Sequence, residues 1–510
     1  MYLPKDGAYL ATFMAALALV AVNSSLPAQE TPSLASDKAE QKPPADGKSA
    51  NVSLAQCGSA NCASGGCCYD LFQRLLQPCP VECLKPWSCK DLEMKPVEKS
   101  HCCLQDGLLH SLLWCPKENN AGNGNGENGN GGNGGESASD LTPLMQLLQC
   151  YAPCTYSLFE EHNIKAYGWI QQGLTFNFDG PSDRTNFGTS FNLRSNDYRL
   201  NQVYLVLEKT LGENKQEYSW GFRWDFFAGH DAPFLANISL GLFDDFTGGS
   251  FNSVGIEMPQ FYAEAHLPIL TTNGVDIRIG RFYTFHGYEP TPAALTDFYS
   301  HAYGFFFGPF THTGITFTVY LGDTLQLMNG IVRGWDVVFE DNNDSPSWHG
   351  SLKYTSCDQR TIAYISWTVG PELPNNNHDL RTYITYDLIR KFGTYDQWKV
   401  GLNFSTAWES HAAPGGGTAR WQEGAVYLFY TIDPRLILGF RAEIYNDEDG
   451  VRTGFADRFH EITLGLTYKP YKNLRIRPEI RFDWSDKTRP FNDLQEKSQQ
   501  TAAFDIIWEF

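Results

Sequence analysis

From Ile164 to Phe510 the chain alternates apolar and polar residues in short segments separated by turn-forming residues. A period of two puts successive side chains on opposite faces of an extended strand, one face apolar and one polar. The segment 473–485 shows it most clearly. Leu474, Ile476, Pro478, Ile480, Phe482 and Trp484 share one face, and Arg475, Arg477, Glu479, Arg481 and Asp483 share the other. Segments 396–409, 435–445, 459–469 and 500–510 repeat the pattern. The whole region predicts sixteen strands, at 164–178, 198–211, 217–229, 257–267, 274–283, 313–321, 324–338, 347–357, 360–370, 379–392, 396–409, 418–432, 435–445, 459–469, 473–485 and 500–510. Pro478 lacks a ladder donor, so a local irregularity is expected there.

The connections between these strands alternate in length. Those near Gln216 and at 268–273, 322–323, 358–359, 393–395, 433–434 and 470–472 are tight. Between them lie longer links at 179–197, 230–256, 284–312, 339–346, 371–378, 410–417, 446–458 and 486–499. A soluble sheet could carry any one such strand with its charges toward water, but it would not sort connection lengths by parity. A membrane sheet does, because every backbone group in lipid needs an internal partner and the sheet must close on itself. The expected fold class is therefore all-β: a transmembrane antiparallel up-and-down β-barrel of about 16 strands, preceded by a small Cys-rich, partly helical segment. Apolar faces would meet lipid and charged faces a wet lumen. Tyr445, Tyr468, Trp484 and Trp508, near strand ends, would form interfacial girdles. Beyond the N-terminus the sequence has no apolar run long enough for a helical span.

The chain before the barrel divides by composition. Residues 1–28 read as a secretory signal, with Lys5, an apolar stretch from Tyr9 to Val22, and cleavage expected after Ala28. Residues 29–56 are a disordered lead-in. Residues 57–115 are cysteine-rich, 116–139 form an Asn/Gly linker, and 140–163 a short helical lead-in to the barrel at 164–510. Twelve of the 13 cysteines fall before the barrel: Cys57, Cys62, Cys67, Cys68, Cys79, Cys83, Cys89, Cys102, Cys103, Cys115, Cys150 and Cys154. Behind a secretory signal such density reads as a disulfide framework. Cys79-x3-Cys83 and Cys150-x3-Cys154 also have admissible zinc spacing.

A net charge of −19 argues against nucleic-acid partners, which require basic surface. G-x-S-x-G, H-E-x-x-H and P-loop patterns are absent from the sequence. The G-x-G-x-x-G at 124–129 is a product of Asn/Gly composition with no strand before it. No enzyme activity and no cofactor are expected.

A barrel of this kind needs a constriction to act as a filter. The link 284–312 is aromatic and too apolar to stand in open water, so it is expected to fold into the barrel mouth, although a packed plug or a protomer contact would also suit it. Glu289 and Asp297 would then supply negative groups opposite Arg223, Arg278, Arg441, Arg475, Arg477 and Arg481 on the wall. The competing reading makes these charges a solvated wall. His286, His301 and His312 match no strong zinc spacing, so no metal is assigned.

Several stretches, in order, resemble the β-barrel porin-2 family, the OmpL-like porins of planctomycete-type bacteria. They are YGWIQQGLTFNFDGP at 167–181, LNQVYLVLEK at 200–209, GFRWDFFAGHDA at 221–232, QFYAEAHLPI at 260–269, IGRFYTFHGYE at 279–289, FYSHAYGFFFGPFTHTGI at 298–315 and NGIVRGWDVVFEDNN at 329–343. The resemblance implies an outer-membrane channel. Passive diffusion of small hydrophilic solutes or ions is expected, with outer-membrane lipid as the surround, a homotrimer as the assembly and the Cys-rich segment in the periplasm. The alternatives are a barrel serving mainly as an anchor for that segment, or a substrate-specific channel, for example for sugars. The Cys-rich segment lies outside the family pattern.

Overall fold

The computed structural model describes residues 141–235 and 254–510. The chain divides into two units, Met1–Ser100 and His101–Phe510, and every described residue belongs to the second. The segments expected as secretory signal, lead-in and Asn/Gly linker, and the ten cysteines from Cys57 to Cys115, lie outside the described residues.

Two short helices precede the barrel, α1 (Pro143–Tyr151) and α2 (Pro153–Glu161). Each has proline in its first turn, where the missing N–H costs nothing. Thr142 caps α1 by accepting from Met145 N, and its hydroxyl donates to Ala166 O at the start of the barrel. Cys150 on α1 and Cys154 on α2 are exposed and not bonded to each other.

The rest is one closed antiparallel sheet. Its segments are β1 (Lys165–Asn177), β2 (Asp197–Lys209), β3 (Ser219–Gly229), β4 (Gly255–Glu257), β5 (Phe261–Leu267), β6 (Val275–Tyr283), β7 (Thr311–Tyr320), β8 (Leu325–Val332), β9 (Ser347–Thr355), β10 (Thr361–Pro371), β11 (Leu380–Phe392), β12 (Trp398–Glu409), β13 (Ala419–Asp433), β14 (Leu436–Asp447), β15 (Asp457–Tyr471), β16 (Leu474–Ser485) and β17 (Ser498–Glu509). Both β4 and β5 pair with β3, so they are two halves of one stave and the barrel has sixteen. The break falls at Met258–Gln260, where Pro259 offers no donor to a neighbour. β1 pairs with β2 on one side and β17 on the other, which closes the ring. Phe510 and Gly168 exchange two backbone hydrogen bonds beyond the last ladder pair.

The faces are inverted relative to a soluble protein. In β16, Arg477, Glu479, Arg481 and Asp483 are buried, while Ile480, Phe482 and Trp484 are exposed. In β12, Leu402, Phe404 and Trp408 point out while Asn403, Ser405 and Glu409 are buried. Pro478 produces the expected irregularity: the β15 ladder pairs Glu479 and Ile476 but skips Arg477 and Pro478.

Two expectations need correction. The strand foreseen at 324–338 ends at Val332. Gly334 (φ 111°) and Asp336 (φ 57°) take left-handed backbone that no strand continues through, and Trp335 and Val337 become buried. Tyr445 is also not a girdle residue. It points inward, 1% exposed, with Phe307 and Tyr303 against it. Tyr468 and Trp484 do lie on the outer face.

Candidate functional site: a strap inside the barrel

The connection 284–310 between β6 and β7 turns inward. Ala293, Tyr299, Ala302, Tyr303 and Phe310 are essentially inaccessible. The segment contacts lumen-facing side chains of β2, β10, β12, β13, β14 and β16, so it lies within the barrel as a strap.

Such a strap has a physical problem. Its buried backbone N–H and C=O groups need partners, and it lies in no ladder that could supply them. Side chains of the wall and of the neighbouring connections do so instead. Arg477 donates to Thr296 O (2.9 Å), Arg441 to Ser300 O (2.7 Å), Arg481 to His301 O (2.5 Å) and Arg452 to Phe307 O (2.8 Å). Ser366 and Tyr364 on β10 donate to Phe285 O and Gly287 O, each at 2.8 Å. The N–H groups are taken by carboxylates. Glu479 accepts from Tyr299 and Ser300, Glu443 from Tyr303 and Gly304, and Asp336 from Phe310 and Thr311. Guanidinium suits this role, because its five donors bind a carboxylate and a carbonyl at once.

The strap's rings rest where the wall has no side chains. Phe298 packs over Gly439 and Gly465, which face each other across β14 and β15; a Cβ on either would stand 2.7–2.8 Å from its ring. Tyr288 lies over Gly401 in the same way, and Tyr299 over Gly173. Glycine inside a strand marks such close approach.

The residues expected at a constriction divide into groups. Arg441, Arg477 and Arg481 are fully buried and clamp the strap, their charges met by Glu461, Asp505 and Asp483. Glu289 belongs to the same network, bound to Arg441 (2.9 Å), His301 (2.7 Å) and Tyr427 (3.0 Å). Burial pushes the Glu289 carboxyl up, but Arg441 and His301 outweigh it and hold it down at about 2. Burial lowers His301, with Glu289 offsetting part of that. Asp297 pairs with Lys399 (2.7 Å) and accepts from Tyr288. Arg278 pairs with Glu264 and lies over the Tyr262 ring, while Arg475 pairs with Glu509. Arg223 pairs with Asp225 and Glu208 and also borders open space.

That space is a cavity of about 330 Å³ between the strap and the opposite wall. The strap contributes His286, Tyr288, Glu289 and Phe305, and the wall contributes Arg223, Tyr283, Tyr364, Tyr383, Asn403, Glu423 and Tyr427. The tyrosines and Glu423 were not picked out from sequence, because polar faces of strands look alike until the strap's path is known. His286 also meets two further histidines, His312 and His349, at the root of the strap. The sequence expectation had grouped His301 with the first two; His301 instead bonds Glu289.

No curated protein matches the sequence. Among solved structures, the outer membrane channel DcaP of Acinetobacter baumannii is similar at 12% identity and TM-score 0.46, covering 68% of this chain and 97% of that one. The anion-selective porin from Comamonas acidovorans is similar at 12% and 0.45, covering 68% and 99%. Pseudomonas putida OprB gives 10% and 0.46, covering 70% and 96%. The family that the sequence matches points to a channel rather than an enzyme. The family model described as Putative beta-barrel porin-2, OmpL-like, matches residues 163–510, and this chain belongs to that family.

Proposed function

We propose that this protein is an outer-membrane porin through which small hydrophilic solutes and ions diffuse passively along the lumen, past the strap. The observation that carries the reading is the strap itself. It is fixed by buried wall charges and leaves a bounded polar opening beside Arg223, Glu289 and Glu423. A narrowing with charges of both signs filters solutes by size and charge. Purified protein in a planar bilayer should give discrete conductance steps. Deleting the strap residues 290–305 should enlarge them, and unchanged steps would show that the strap does not set the aperture.

A second reading has its own support. Tyr283, Tyr288, Tyr364, Tyr383 and Tyr427 line the opening, and aromatic faces suit sugars. Liposome swelling with sugars and amino acids of matched size separates a selective channel from a general one.

The proposal extends to the rest of the chain. Residues 1–28 direct export, and residues 57–115, with Cys150 and Cys154, form a disulfide-linked periplasmic segment. Three barrels associate side by side in the membrane. If the barrel were only an anchor, protein lacking residues 29–155 would lose the function and conduct nothing. The porin reading expects its conductance to match that of the full chain.

A further inference from the structure

We propose that His286, His312 and His349 form a binding site for one divalent transition-metal ion of the zinc, copper or nickel class, joining the root of the strap to the barrel wall. His286 lies on the strap just after β6, His312 is the second residue of β7, and His349 is the third of β9. All three are buried, His312 and His349 completely. Each offers one ring nitrogen, and these nitrogens all lie within 4.8 Å of one another. Three imidazoles with an open fourth position form a recognised zinc set, with Zn–N of about 2.0–2.1 Å. In a tetrahedral site the ligand nitrogens stand roughly 3.3 Å apart, so closing onto an ion needs only small ring movements.

The hydrogen bonds around the rings favour ligation. His312 Nδ1 lies 2.8 Å from Gly334 O, which only accepts, so Nδ1 carries the proton and Nε2 holds the lone pair. His349 Nδ1 is 2.8 Å from the Thr368 hydroxyl, and its Nε2 is buried with no hydrogen-bond partner among the described residues. His286 is bracketed by the hydroxyls of Thr368 (2.8 Å) and Thr385 (3.2 Å). Hydroxyls thus surround the rings, Thr284 lying 3.1 Å from His312 Nε2, and an ion would displace one hydroxyl contact each at His286 and His312 while taking up the unpaired His349 Nε2. A packing role would need only the ring stacking that also occurs here, Phe285 on His349 and Tyr383 on His286. It would not explain why a buried imidazole nitrogen stays unpaired, which is costly. His286 borders the lumen cavity, so an ion can enter from water.

The test uses the full chain in detergent, stripped with chelator and titrated with Zn²⁺ by calorimetry and with Co²⁺ by absorption. The Cys-rich segment can take metal through thiolates, so the readout is the difference between wild type and His349→Ala. Wild type should bind one further equivalent, with Co²⁺ ligand-field bands unaccompanied by sulfur charge transfer. The variant should lose that equivalent or bind it roughly tenfold or more weakly. Heat-shifted gel mobility shows whether the variant barrel is closed. If it is not, His286→Gln, which changes only the strap, replaces it. Equal uptake by wild type and a closed variant would overturn the site.

Discussion

The two sides of the lumen use the same kind of sequence for opposite ends. On β14–β17, Arg441, Glu443, Glu461, Arg477, Glu479, Arg481, Asp483 and Asp505 are all buried, and their polar atoms are committed to one another or to the strap. On β3 and β10–β13 the inward face carries Arg223, Tyr364, Tyr383, Asn403 and Tyr427, which border open space. A row of arginines in a barrel wall is thus not in itself a pore field. Once a loop packs against it, those charges complete the loop's backbone hydrogen bonds, and the remaining cavity lies between the loop and β3 and β10–β13.

The comparison breaks hardest at Arg441. Its removal takes the neutralising guanidinium from Glu461 and Glu289 and strips Ser300 O of its donor. Deleting one partner from a buried charge network costs about 3–5 kcal/mol. Arg441→Ala should therefore lower the denaturation midpoint, read by heat-shifted gel mobility, and make the conductance noisy as the strap loosens. Arg441→Lys should rescue little, because an ammonium cannot reproduce the fork that spans Glu461, Glu289 and Ser300.

Next in size are the glycine seats. Gly465→Ala places a methyl about where the Phe298 ring lies, and overpacking of this kind costs roughly 1–3 kcal/mol. Gly424→Ala is the control. Gly424 also lies within a strand, but a Cβ there meets nothing within 4 Å, and stability should not fall. Equal losses in the two would mean that the strap does not bear on the wall as described.

A titration sharpens the comparison without mutation. Glu289 is held at about 2, below the unfolded glutamate value near 4.3. A depressed carboxyl contributes stability above its unfolded pKa and loses it as pH falls toward the folded one. His301, lowered by burial, adds to the same trend, since protonation favours the unfolded form below its ordinary value. Strap attachment should begin to weaken below about pH 6.5 through His301 and weaken further below about pH 4.5 through Glu289. Conductance recorded across that window should rise or grow noisy in wild type and change less in Glu289→Gln. A flat wild-type profile would remove Glu289 from the clamp.

How much of this could be read from sequence follows from what alternation encodes. A period of two fixes which side chains share a face, so Ile480 and Arg481 were legible as lying on opposite faces of β16, although one strand alone does not say which face meets lipid. The turn parity fixed the closure. The breaks at Pro259 and at Gly334–Asp336 were harder, because a strand pattern continues through both and only backbone conformation ends it. The strap was legible as apolar and aromatic, but its partners were not. Glu443 and Glu479 look like any lumen carboxylate until Tyr303 and Ser300 are placed beside them. Gly439 and Gly465 did carry a signal, since glycine is poor in strands without a reason, but nothing local names the ring they admit.

The smallest expected effect is at Arg475. It shares the face of Arg477 and Arg481 on β16, and sequence pattern gives no ground for treating it differently. Its side chain is 17% exposed and pairs with Glu509, itself 33% exposed. Ion pairs with access to water contribute about 0–1 kcal/mol, because solvent replaces most of what is lost. Among the described residues no hydrogen bond joins it to the strap. Arg475→Ala should therefore shift the denaturation midpoint barely at all and leave single-channel conductance unchanged, whereas Arg477→Ala, which frees Thr296 O and Asp505, should do neither. Measured side by side, the two variants test whether the strap, and not the strand, decides what a lumen arginine does. Similar losses in both would mean that position on β16 alone sets the cost.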